Sequence, residues 1–175
     1  LAAQRPMLAA SATWAKNPST TDWNDSSNWT PSMVPHSATD IASFETSRKT
    51  DPVVLGLFSL ASLSFGSGAD AFTFTFMPTG TVGTRISFYD GGIVNISGKL
   101  QTFVFDFGTG FSFYNSATAG QLINYRSEMG GILLFADSSS AGSASFEISY
   151  GPTGPGEINF ADTTTAADAT INVTS

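Results

Sequence analysis

The segment FSFYNSATAG at Phe111–Gly120 recurs twice further along the chain, as LLFADSSSAG at Leu133–Gly142 and as INFADTTTAA at Ile158–Ala167. Each copy begins with an apolar residue, has a Phe two positions later and an Asn or Asp after two more, and ends in a run of Ser, Thr and Ala. Apolar residues in alternation are typical of a β-strand with one buried face, and Asn and Asp favour turns. A strand-turn unit that recurs at a regular interval indicates a repeat architecture.

The same pattern of an apolar residue followed by Phe extends towards the N-terminus. Six phenylalanines follow one another at intervals of 21, 23, 25, 22 and 25 residues: Phe44, Phe65, Phe88, Phe113, Phe135 and Phe160. A coil of this length cannot bury its own apolar face, so successive coils must stack, with like residues about 4.8 Å apart. The sequence therefore predicts an all-β fold, a parallel β-solenoid of about six coils of 21–25 residues with these side chains inside. The alternative is a β-sandwich, whose strands would reverse at the turns.

The first part of the chain has a different texture from the repeats. It contains all three tryptophans, Trp14, Trp23 and Trp29, together with several prolines. We expect residues 1–38 to be a tail and a capping segment, followed by a repeat domain at residues 39–175. Because an indole ring also stacks well on other flat or apolar faces, a sugar-binding platform built from the tryptophans is the alternative.

The last part of the chain has no comparable cap. Ala169, Ile171 and Val173 alternate with polar residues as in a strand with one apolar face. Unpaired strand edges attract further strands, so either repeats further downstream or a second copy of the chain should cover this edge. A contact between the two different ends of identical subunits propagates into a filament. We therefore expect head-to-tail assembly, with residues 1–12 lending a strand to the preceding subunit or packing onto it.

Composition and charge narrow the functional classes. The 175 residues include 14 acidic and 7 basic side chains, which give a net charge of −7, and no Cys. A chain without a basic field is a poor partner for nucleic acid or anionic lipid, and a chain without Cys has neither disulfides nor thiolate metal ligands. No apolar run is long enough for a membrane helix. We expect no nucleic-acid partner and no membrane insertion.

Few residues suit catalysis or metal binding. His36, the only histidine, lies in a loop rich in Pro and Ser without a matched nucleophile. Asp137 and Asp162 should neighbour each other in adjacent coils, where two carboxylates can form a hydrolytic pair or share a cation, although turn formation alone explains both. The Asp22–Ser26 stretch begins like a calcium loop but lacks its later Gly and Glu. We expect no catalytic residue and no cofactor, with calcium as a weak alternative.

Several segments together resemble a group of bacterial surface proteins. They are Ala12-Thr13-Trp14, Asp22-Trp23-Asn24, Asn28-Trp29-Thr30-Pro31, Val34-Pro35, Asp40-Ile41-Ala42-Ser43-Phe44, the stretch from Asp90 to Gly98, and the Ser-Ala-Thr-Ala-Gly and Ser-Ser-Ala-Gly repeat ends. In this combination the chain resembles autotransporter-like passenger proteins with autotransporter-associated β-strand repeats. The resemblance implies a right-handed parallel β-helix, export to the bacterial cell surface, and a role in adhesion or matrix building without catalytic residues.

The sequence thus predicts a non-catalytic, secreted or cell-surface structural protein that assembles end to end, with extracellular polysaccharide as a further partner to consider. Two other functions remain open. One is a carbohydrate-binding surface module that uses the tryptophans, and the other is a β-helical polysaccharide lyase.

Overall fold

A computed structural model describes residues 11–80, 83–151 and 154–174 of the chain. In these ranges the secondary structure consists of β-strands and one 3₁₀ helix, Ser26–Asn28. The strands in chain order are β1 (Ala12–Trp14), β2 (Trp29–Thr30), β3 (Ile41–Phe44), β4 (Val53–Val54), β5 (Leu57–Phe65), β6 (Thr73–Phe76), β7 (Thr84–Asn95), β8 (Gln101–Phe105), β9 (Thr109–Phe113), β10 (Gln121–Ser127), β11 (Ile132–Phe135), β12 (Ser143–Gly151), β13 (Gly154–Pro155), β14 (Glu157–Phe160) and β15 (Thr170–Thr174).

The coils form three faces, which we name A, B and C. Face C is the sheet in the order β4-β6-β8-β10-β12, and β15 pairs with β12 at its end. The long strands β5 and β7 run through the other two faces, and the register between them shifts after Leu60. Their first halves, followed by β9, β11 and β14, form face A. Their second halves, preceded by β3 and β1, form face B.

The neighbouring coils pair in parallel on all three faces, which makes the chain a β-solenoid of about five turns. The predicted all-β parallel solenoid is confirmed, and the expected number of about six coils is close to that observed. Face B narrows along the axis. After β7 it continues as single bridges that join Gly92, Thr118, Ser140 and Thr165 in turn. The Ser, Thr and Ala run of each repeat therefore forms a tight corner where the earlier coils have a strand.

The predicted single column of phenylalanines is in fact two columns on two faces. On face B, Phe44 aligns with Phe65, and their ring centroids are 5.4 Å apart. On face A, Phe88 begins a second column, in which it aligns with Leu60 of the preceding coil. Phe65 aligns with Asn95 instead. The prediction that Phe65 and Phe88 occupy equivalent positions is wrong, because the coil between β5 and β7 is longer than the others and shifts the register.

The face A column is continuous from Phe88 to Phe160. Successive ring centroids lie 5.4, 4.8 and 4.9 Å apart, and each pair of rings is nearly parallel. Phe113 and Phe135 are fully buried between their neighbours. Phe160 is 39% exposed, so the prediction that it lies in the interior is wrong. The physical reason is its place in the last described coil, where its ring stacks on Phe135 of the preceding coil.

The three tryptophans close the N-terminal end of the core. Trp14, Trp23 and Trp29 are each at most 1% exposed, and each ring lies within 6.1 Å of the Phe44 ring, centroid to centroid. β1 also pairs with β3 across the predicted boundary at residue 38. Residues 11–38 therefore share one sheet and one core with the coils and are not a separate unit.

Irregular segments also cover the strand edges at this end. β2 pairs antiparallel with β1 on face B, and the Trp23 amide donates to the Val53 carbonyl on face C. On face A, the Ser59 amide donates to the His36 carbonyl over 3.4 Å. Among the described residues, the N-terminal segment thus contacts the first strand of every face, and β2 is the edge strand of face B. The expected strand donation by residues 1–12 falls on residues 1–10, which lie outside the described ranges, and on Ser11 and Ala12.

Candidate functional site

His36 lies in the loop between β2 and β3, with a side chain that is 62% exposed. Its Nδ1 is 2.9 Å from the Val34 carbonyl oxygen, a distance at which the ring nitrogen donates a hydrogen bond. The Asp40 carboxylate lies 3.9 Å away and is fully buried, and its Oδ2 accepts the backbone amides of His36 and Ser37. Asp40 therefore closes the loop, and this arrangement does not make it the partner of a catalytic histidine.

The predicted acidic turn residues form a ladder along one corner of the solenoid. Asn115, Asp137 and Asp162 have φ values of 52°, 60° and 57°, a left-handed conformation that Asn and Asp adopt more readily than most residues. Asp137 Oδ2 accepts the amide of Asn115 at 2.9 Å, and Asp162 Oδ2 accepts the amide of Asp137 at 3.1 Å. Each carboxylate thus joins its own coil to the preceding one.

This use of the carboxylates bears on the catalytic and metal readings of the sequence. Asp137 and Asp162 do neighbour each other as predicted, but each accepts a backbone amide, which favours a structural role over paired acid and base groups. Across the ranges that the structure describes, no three His, Cys, Asp or Glu side chains are grouped closely enough to hold a metal ion. The sequence could show the turn residues but not the hydrogen bond from coil to coil, because that bond depends on register.

The tryptophans do not form the alternative sugar platform. Trp14 and Trp23 each lie against Trp29, with ring centroids 5.2 and 4.8 Å apart in edge-to-face geometry. The indole Nε1 of Trp29 donates to the Trp23 carbonyl, and that of Trp14 to the Lys49 carbonyl. A ring that stacks on a sugar must offer an open face, and these rings are packed against one another instead. Their position suits the expected role of a cap.

The C-terminal coil differs from the N-terminal end because its last strand is exposed to solvent. β15 is exposed along its whole length, with Ile171 at 41% and Val173 at 77% exposure, although both lie in register with buried residues of β12. Ala169 is partly buried against the core. In the described part of the chain, β15 pairs only with β12 and β14 only with β11. The coil therefore presents the outer edges of β14 and β15 and the exposed apolar side chains of Phe160, Ile171 and Val173. We call this surface the end face.

The turn ladder is also incomplete at the end face. The amides of Asn115 and Asp137 are both bonded to the carboxylate of the next coil. The amide of Asp162 has no such partner among residues 11–80, 83–151 and 154–174. One more coil with an acidic turn residue would complete this ladder.

No protein-family model, curated protein or solved structure matches the chain. No helix in the described ranges combines the length and apolar character needed to cross a membrane. The resemblance to autotransporter-like passengers consequently rests on the sequence segments quoted above, and the functional argument rests on the geometry of the two ends.

Proposed function

We propose that the chain is a non-catalytic structural or adhesive protein of the bacterial cell exterior that associates with further copies of itself through the end face. The single observation that carries the proposal is the contrast between the two ends. The N-terminal end is capped on three faces, whereas the end face exposes strand edges and apolar side chains. The acidic, Cys-free composition and the resemblance to surface passengers support the assignment to the exterior.

The end face has the features that favour β-strand addition. β14 and β15 offer backbone amides and carbonyls on their outer edges, and strand addition satisfies such groups with main-chain hydrogen bonds. Phe160, Ile171 and Val173 offer apolar area that a stacked coil would remove from water, at about 25 cal/mol per Å². These two strands contain one ionisable side chain, that of Glu157, and two further carboxylates, those of Asp162 and Asp168, lie in the turns of the same coil.

The capped N-terminal end affects how copies can be joined. In a head-to-tail fibre, the end face of one copy would contact the cap of the next, where the two-residue strand β2 is the edge strand in the described part of the chain. In a tail-to-tail pair, two end faces would meet about a two-fold axis, and both would contribute open edges. The head-to-tail fibre remains the first proposal from the sequence, and the cap is the observation that favours the pair as the second.

The proposal is tested by measuring the molar mass of the purified 175-residue chain by light scattering over a wide concentration range. We expect a molar mass above that of one chain at high concentration. It should keep rising with concentration for a fibre and should level off at the mass of two chains for a pair. Val173→Glu places a charge on the end face and should return the protein to monomers. Val94→Glu is the matched control, because Val94 is an exposed valine on β7, away from the last coil.

A monomer at every concentration would contradict self-association, and so would equal effects of the two substitutions. The non-catalytic part of the proposal has its own test, incubation with polysaccharides followed by detection of unsaturated oligosaccharides. Their release by the protein would establish the lyase alternative instead.

A further inference from the structure

A cavity of about 450 Å³ lies on the outside of face A, next to the capped end. Its lining includes Leu57 and Ser59 from β5 and Arg85 and Ser87 from β7. His36 also lines it, from the loop between β2 and β3 that lies beside β5. This volume is within the range of small-ligand sites, and it is large enough for a monosaccharide. The cavity is far from the end face in the fold, since β5 is among the first strands of face A and β14 is the last.

The charge of the lining is opposite to that of the whole chain. His36 and Arg85 are the ionisable residues of the cavity, in a protein with a net charge of −7. The Arg85 guanidinium forms no ion pair or hydrogen bond with any residue that the structure describes. By contrast, Arg126 contacts two carboxylates, those of Glu128 and Glu147, at 3.1 and 3.2 Å. Arg85 therefore keeps its donors available to a ligand.

The neighbouring polar groups suit the same ligand. Nδ1 of His36 is bonded to the Val34 carbonyl, which leaves Nε2 as the ring nitrogen available to a ligand. Ser59 and Ser87 are in register on adjacent strands, so their side chains lie on the same side of face A.

We infer that this cavity binds a monosaccharide-sized ligand through a carboxylate, as in a uronic acid. A guanidinium matches a carboxylate in shape and donates two parallel hydrogen bonds to it. The two serine hydroxyls can donate to or accept from the hydroxyls of the ligand. Leu57 and Phe58 supply apolar contact for the ring carbons. The site does not depend on self-association, so a monomeric protein should bind the ligand equally well.

The inference is tested by isothermal titration of the full chain with glucuronate, with glucose as the neutral ligand of the same ring size and with inorganic sulfate as a simple oxyanion. Glucuronate should bind, and glucose should bind at least about tenfold more weakly, because a hydrogen bond to a charged group is worth about one to two powers of ten in affinity. Arg85→Gln should weaken glucuronate binding by a similar factor. Arg48→Gln, at an exposed arginine outside the cavity, is the matched control and should leave binding unchanged.

Ser87→Ala distinguishes a carbohydrate ligand from a simple oxyanion. If the ligand is a sugar acid, this change should weaken glucuronate several-fold and sulfate less. Thermal melting of each variant confirms that the fold is intact, which is expected because Arg85 and Ser87 lie outside the core. The inference is overturned if glucuronate does not bind to the unsubstituted protein, if glucose binds as tightly as glucuronate, or if Arg85→Gln binds glucuronate as well as the control does.

Discussion

The stacked phenylalanines of face A allow the same substitution to be compared inside the solenoid and at its end. Phe113→Ala removes a fully buried ring that lies between Phe88 and Phe135, with centroid distances of 5.4 and 4.8 Å. It leaves a cavity closed on both sides, and we expect the free energy of unfolding to fall by about 3–5 kcal/mol. Phe160→Ala removes a ring that is 39% exposed and has one stacked neighbour.

The expected effect at Phe160 follows from its exposure. Full burial of a Phe side chain contributes about 1.5–3 kcal/mol, and about three fifths of that ring is buried, so the loss is about 1–2 kcal/mol. No closed cavity forms, because the site is open to solvent. The two free energies of unfolding should be measured by urea denaturation at a concentration where the protein is monomeric. Equal losses for the two variants would refute the account of an internal column with an open last coil.

Three further predictions test other parts of the structure. Gly110→Ala should destabilise the fold by more than about 3 kcal/mol, because the added Cβ would collide with a backbone carbonyl of the next coil. Gly98→Ala, compared with it by thermal melting, should lose only about 1–2 kcal/mol through backbone strain, because the space around Gly98 is open. Burial, and then the charge of Glu128, raise the pKa of Asp106, so the folded state loses stability as the pH rises from the pKa of an unfolded Asp to that of folded Asp106. Asp106→Asn should therefore raise the melting temperature at pH 7 and give no such increase at pH 3. The Tyr125 hydroxyl donates to a backbone carbonyl, so Tyr125→Phe should lower the free energy of unfolding by about 1 kcal/mol in urea at pH 7. Because burial raises the pKa of Tyr125, the same variant should resist unfolding at alkaline pH better than the unsubstituted chain.

The fold could be predicted where the repeat is carried by neighbouring residues. The three copies that begin at Phe111, Leu133 and Ile158 align in the structure as they do in the sequence. The prediction failed between Phe65 and Phe88, where the spacing of 23 residues is normal but the register is not. Phe65 and Phe88 have the same sequence pattern around them, and only the strand pairing shows that they lie on different faces.

The candidate sites were predictable to different degrees. A strand with one apolar face containing Ile171 and Val173 was visible in the sequence, because these residues alternate with polar ones. The cavity was not visible, because His36 and Arg85 are 49 positions apart and meet only when the cap loop lies beside face A. The role of Asp162 was equally hidden, because the hydrogen bond from the Asp137 amide to its carboxylate depends on how the two coils align.

Hydrogen exchange of the backbone amides, followed by mass spectrometry at low and high protein concentration, tests the central claim most directly. If copies associate through the end face, the amides of β14, of β15 and of Asp162 should exchange more slowly as the concentration rises. The amides of β8 and β10, which are paired on both sides, should exchange at the same slow rate throughout. End-face exchange that is independent of concentration would contradict the claim.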